Sequence, residues 1–147
     1  SLVEKTEWYK EKSGKINMVK LIEAFQQFFR ENSETWLQRF DYKEAGPQLL
    51  LQAFLQRIIN GGGRVEREYL YGSRRTDILV TWPFDNKVQK TIVELKLKYK
   101  SLEKTIENGL EQTADYMDKC GTKEGHLIIF DRSINKTLKM NSLLQIV

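Results

Sequence analysis

Thr76-Asp77-Ile78-Leu79-Val80-Thr81-Trp82 and Lys90-Thr91-Ile92-Val93-Glu94-Leu95-Lys96-Leu97-Lys98 decide how this chain folds. Both are rich in β-branched and apolar residues, the composition of strands buried within a sheet. Pro83-Phe84-Asp85-Asn86 between them reads as a turn, which lets the two strands pair. Ionised groups are costly in such strands unless they serve a purpose, yet Asp77 opens the first and Glu94 and Lys96 interrupt the second. Side chains two apart on a strand leave from one face, so Glu94 and Lys96 share a side, and pairing brings Asp77 to them. Two carboxylates and an ammonium on one sheet edge suit a divalent cation held beside a water, which is equipment for cutting phosphodiesters. The plainer alternative is three surface residues on an amphipathic hairpin.

Outward from this pair, Arg64 to Tyr71 reads as a preceding strand, and Gly125 to Asp131 as a following one whose unbroken apolar centre implies burial on both faces. Ser101 starts a helix to about Lys119, with Leu102, Ile106, Leu110, Thr113 and Met117 on one face and Gly121 as its stop. This helix would cross between parallel strands by a right-handed connection. Upstream, Asn17 caps a helix to about Asn32, with Met18, Leu21, Ile22, Phe25, Phe28 and Phe29 at three- and four-residue intervals. A shorter helix follows around Ser33 to Phe40. Gly46-Pro47 opens a third, which Asn60-Gly61-Gly62-Gly63 ends. The expected fold is α/β, an αβββαβ core whose mixed four-stranded sheet is flanked by helices. Residues 1–15 read as a polar linker or lead-in and 16–147 as one domain, with 136–147 ambiguous between strand and helix.

The chain has 147 residues, 40% hydrophobic and 30% charged, ordinary values for a single globular domain able to bury a core. No apolar run approaches the ~20 residues of a membrane span, and no signal peptide is evident. A membrane is therefore not an expected partner. The single Cys120 forms no internal disulfide and suits a reducing, cytoplasmic setting. Cys120 and the lone His126 cannot build a zinc site by themselves. A net charge of +4 permits a polyanionic partner without requiring one. The first residue is Ser rather than Met, which reads as a fragment of a longer protein.

Arg67-Glu68, Gly72, Arg75-Thr76-Asp77-Ile78, then Ile92-Val93-Glu94-Leu95-Lys96, then Gly109-Leu110, Gln112 and Tyr116 resemble the PD-(D/E)XK nuclease superfamily. The resemblance spans about residues 40–132 and is nearest to the nuclease-like domains at the C-terminal end of bacterial and archaeal AAA-type ATPase proteins. It implies a restriction-endonuclease-like core, Mg2+ or Mn2+ as cofactor, and hydrolysis of nucleic acid, DNA foremost, leaving a 5′-phosphate. It also implies an ATPase domain elsewhere in the parent chain, since no Gly-x-x-x-x-Gly-Lys loop occurs here. Asp77 matches the metal aspartate, Glu94 the second acid and Lys96 the lysine that orients or deprotonates water; the Leu95 carbonyl is a third candidate ligand. Gln112 and Tyr116, on one helix face, match the Gln-x-x-x-Tyr motif of RecB-type nucleases, which lies near the site and contacts nucleic acid. For the upstream acid, Glu44 is the first choice, Gln48 sits one turn further on, and Glu68 is another acid in reach. A Gln there would lack a charge and weaken metal binding. Thr76 stands where Pro is common, and the histidine often found upstream of the aspartate is missing, so His126 is read as structural.

Arg74 and Arg75 suit a grip on phosphates, or Arg75 bridges Glu68 or Glu94. Lys98, Lys100 and Lys104 continue the basic edge, for salt-sensitive attraction to nucleic acid or simply as a solvated face. The competing function is a module of the same architecture without robust catalysis, binding nucleic acid or docking onto an ATPase partner. A third is a structural domain in which Lys96 is salt-bridged to Glu94.

Overall fold

Asn17 begins the first helix as a cap, its side-chain oxygen accepting the Lys20 amide at 3.1 Å. The computed structural model describes residues 7–39, 45–69, 76–98 and 101–130, and structural statements concern these alone. Helix α1 runs Met18–Arg39, α2 Ala45–Ile59 and α3 Leu102–Cys120; strands β1 to β4 are Arg64–Tyr69, Thr76–Phe84, Lys87–Leu97 and Glu124–Phe130. The expectations for residues 1–6, Glu44, Arg74, Arg75, Lys100 and 136–147 lie outside the described residues.

The protein is α/β, with a mixed sheet in the order β1-β2-β3-β4. β1–β2 and β2–β3 are antiparallel, while β3–β4 is parallel and joined through α3. Alternation along β3 sorts the side chains. Val93 and Leu95 join Phe25, Leu51, Leu55, Val80 and Phe130 in the core under α1 and α2. Ile92 faces the other way, packing with Tyr116 and Met117 of α3. Helices thus cover both faces, which is why Thr91 to Leu95 are all buried.

Three sequence expectations need correction. The helices expected to meet at Asn32 and Ser33 are one. The Asn32 amide donates to the Phe28 carbonyl at 2.9 Å, inside the helix, and no Gly or Pro breaks the run. Pro83 and Phe84 belong to β2, paired with Val88 and Lys87. The turn is Asp85-Asn86 alone, with φ of 44° and 58°, the two-residue type whose twist matches a hairpin. Pro83 is tolerated because β1 ends opposite Thr81 and asks no hydrogen bond beyond it. Of the face expected on α3, Thr113 and Met117 are buried, joined by Thr105, Gly109 and Tyr116, whereas Leu102, Ile106 and Leu110 are half-buried at its flank. A Cβ on Gly109 would lie 2.7 Å from Leu127 Cδ1, and one on Gly125 3.0 Å from Thr113 Cγ2. Two missing side chains therefore let helix and strand approach closely.

Residues 7–15, at the end of the polar lead-in, are tied to the sheet. Lys10 and Ile16 form an isolated antiparallel bridge, and the Trp82 indole donates to the Gly14 carbonyl at 2.9 Å. Gln89 holds the Ile16 backbone at both its amide (2.8 Å) and carbonyl (3.0 Å), and donates to Glu124 at 3.1 Å. Buried His126 lies 3.2 Å from Glu124 Oε1 and pairs in register with Val93, so it is a core residue of this network, one rung from Glu94 but on the opposite face of the sheet. Burial alone would raise the Glu124 carboxyl, but hydrogen bonds from His126 and Gln89, with the His126 charge, outweigh it and hold the group below the usual glutamate range. A folded-state pKa below the unfolded one contributes stability that is fully present above the unfolded value, about 4.3, and is lost as pH falls through the folded value. Glu124→Gln is accordingly expected to show a shallower loss of stability than wild type in urea melts between about pH 5 and pH 3. Parallel acid limbs in the two proteins would refute that assignment.

Candidate active site

β2 and β3 bring the sequence-marked acids together. Ile78 pairs with Val93 as the last rung of the ladder, so Asp77 and Glu94 stand side by side one step beyond it. Asp77 is 0% and Glu94 2% exposed. Leu79, two residues after Asp77, and Ile92, two before Glu94, both belong to the cluster under α3. Alternation therefore puts both carboxyls on the α3 face, with Lys96 two residues further along the same row and half-buried. On β1, Glu68 is the register partner of Asp77.

The sheet's other face supplies a different group. Gln48, buried on α2, donates its amide to the Leu95 carbonyl at 3.4 Å and accepts from Arg67 at 3.5 Å. Of the upstream candidates, Gln48 thus contacts the very carbonyl that lies between Glu94 and Lys96. Its side chain is neutral.

From α3, the Thr113 hydroxyl lies 2.8 Å from Glu94 Oε2. Sequence reading placed Thr113 merely in a buried stripe and missed this contact. The available signal was a hydroxyl amid apolar helix positions, beside Gln112. Tyr116 is 3% exposed, its ring packed with Ile92, Leu79 and Met117 beneath the two acids. Gln112 is half-buried and borders a hollow of about 440 Å³ lined also by Asn108, Glu111 and Asp115; its Oε1 finds no hydrogen-bond partner among the described residues. Lys98 is half-buried at the end of β3, its backbone amide bound to the Phe130 carbonyl at 2.8 Å. Lys104 is exposed in the first turn of α3.

Among the described residues no three His, Cys, Asp or Glu side chains converge as a metal-binding group. The donors present are two buried carboxylates and a backbone carbonyl. All are hard oxygens, the type magnesium and manganese take, and magnesium habitually keeps several waters alongside few protein ligands. The donor set fits such an ion. No described helix is long and apolar enough to cross a membrane. No family model matches the chain, and no curated protein matches it as a relative.

Proposed function

We propose that this chain is a metal-dependent nuclease domain of the PD-(D/E)XK type, hydrolysing phosphodiester bonds of DNA. The observation that carries the reading is the pairing of buried Asp77 and buried Glu94 on adjoining strands, with Lys96 next in the same row. The αβββαβ order and the mixed sheet support a restriction-endonuclease-like core.

Asp77, Glu94 and the Leu95 carbonyl would hold Mg2+ or Mn2+, which supplies Lewis acidity at a phosphate oxygen and a more acidic water. Lys96, at the more open end of the row, orients the attacking water, takes up or relays its proton, and faces the phosphate charge. Burial of the acids keeps bulk water from screening these interactions. Gln112 lies at the rim, where its amide can contact the substrate. Tyr116 supports the floor instead of stacking on a base, because its ring is buried. Arg74, Arg75, Lys98 and Lys100 are assigned to phosphates, giving affinity that falls with salt. We place the domain in the cytoplasm, as part of a protein that also carries an ATPase domain.

The neutral Gln48 at the Leu95 carbonyl favours a second reading, a nuclease-fold module that binds DNA or an ATPase partner with little catalysis. One assay separates them. Linear and circular DNA and RNA are incubated with the protein and Mg2+ or Mn2+. Cutting that needs the cation and stops with chelator is expected; retention of DNA without cutting under either cation would assign the module.

A further inference from the structure

We infer that Thr113 is a positioning residue that pins Oε2 of Glu94, so that the carboxylate meets its cation through one oxygen and small octahedral ions are preferred over calcium. The inference rests on the reading of Glu94 as a metal ligand and adds the choice of cation.

The contact is built rather than incidental. Thr113 and Glu94 are each 2% exposed, and their oxygens are 2.8 Å apart. The same hydroxyl oxygen is 2.7 Å from the Gly109 carbonyl, the ordinary resting partner of a helical threonine. A hydroxyl has one hydrogen, so it serves one acceptor at a time. A bond to an ionised carboxylate is roughly twice as strong as one between neutral groups, so the hydrogen turns to Glu94 when that side chain is charged. Nor can the side chain swing away. Threonine is branched at Cβ and stiff about χ1, and Thr113 Cγ2 packs with Met117 against the backbone of Gly125, which lacks a side chain to hold them off. Gly109 does the same for Leu127, so the helix itself sits close to the sheet.

Pinning Oε2 has a chemical consequence. Calcium commonly takes a carboxylate through both oxygens at 2.3–2.6 Å in flexible geometry, whereas magnesium demands near-octahedral geometry at 2.0–2.1 Å. With one lone pair of Oε2 taken by the Thr113 hydroxyl and the carboxylate's orientation fixed by it, Oε1 is the less encumbered ligand, the one-oxygen mode that suits the smaller ion. Freeing Oε2 should relax that preference.

Calorimetric titration of the intact chain with Mg2+, Mn2+ and Ca2+ tests this in wild type, Thr113→Ser, Thr113→Val and Asp77→Asn. Serine keeps the hydroxyl and should bind Mg2+ within roughly threefold of wild type. Valine keeps the shape and should lose about 10–100-fold in Mg2+ affinity, the usual effect of removing a ligand's supporting hydrogen bond. Its loss for Ca2+ should be smaller, so the Mg2+/Ca2+ ratio narrows. If valine does not fold, Thr113→Ala carries the same expectation. Wild-type Mg2+ affinity and ratio in the valine variant, with binding lost in Asp77→Asn, overturn the role of Thr113 alone. Equal losses in serine and valine overturn it too, because packing would then be responsible. No binding by wild type overturns this inference together with the metal reading itself.

Discussion

Replacing Asp77 with Asn is expected to abolish the proposed cation-dependent cutting of DNA while leaving the fold intact. Asn has nearly the shape of Asp, so the buried site on β2 need not rearrange. What changes is one negative charge next to Glu94 in a row shielded from solvent. Removing it eases the repulsion between two neighbouring carboxylates, so the melting temperature in chelator should stay within roughly 3 °C of wild type, about 1 kcal/mol for a chain of this size. The loss of cutting should exceed the ~10–100-fold typical of residues that only support a ligand. Mg2+ should also raise the wild-type melting temperature by mass action and leave Asp77→Asn unmoved. Plasmid nicking and thermal melts, each with and without Mg2+, check both halves. Unchanged cutting would end the assignment of Asp77.

Phe25→Ala is the substitution expected to damage the fold most. Phe25 is fully buried, with ring centroids 5.6 Å from Phe54 of α2 and 6.1 Å from Phe29. Phe29 in turn meets Phe130 of β4 edge-on at 5.4 Å. This chain of rings ties both N-terminal helices to the central sheet. Truncation removes apolar burial and leaves a cavity that close-packed neighbours fill only in part, at a cost of about 3–5 kcal/mol. The melting temperature should fall by about 10 °C or more, with any loss of cutting recovered on cooling below the transition. A drop of less than about 3 °C would show that the rings are not the principal tie.

Local chemistry made much of this readable. Asn17 and Ser101 announce helix starts by side-chain oxygens, and Gly121 announces a stop with a φ of 67°. Apolar runs with period two marked the central strands, and their alternation sufficed to put Glu94 and Lys96 on one face. Errors came where local signals were weak or where partners were distant. Asn32 is expected near a helix end, yet it bonds back to Phe28 within a continuous helix. The Gln89 clamp on Ile16 spans 73 positions, and no pattern near residue 16 hints at it. The bond from Thr113 to Glu94 was hidden for a similar reason. Which face of α3 is buried depends on the missing side chain of Gly125, on a different element, so helical periodicity favoured Leu102, Ile106 and Leu110. Gln48 and the Leu95 carbonyl, 47 positions apart, meet only because α2 packs across the sheet.

The central claim is that Asp77 and Glu94 jointly capture one divalent cation. Electron paramagnetic resonance of Mn2+ titrated into the protein measures this directly, because free and bound manganese give separate signals. One bound ion per chain is predicted, lost in Asp77→Asn and displaced by excess Mg2+. Manganese left entirely free by wild type, or bound equally well by Asp77→Asn, would contradict the account.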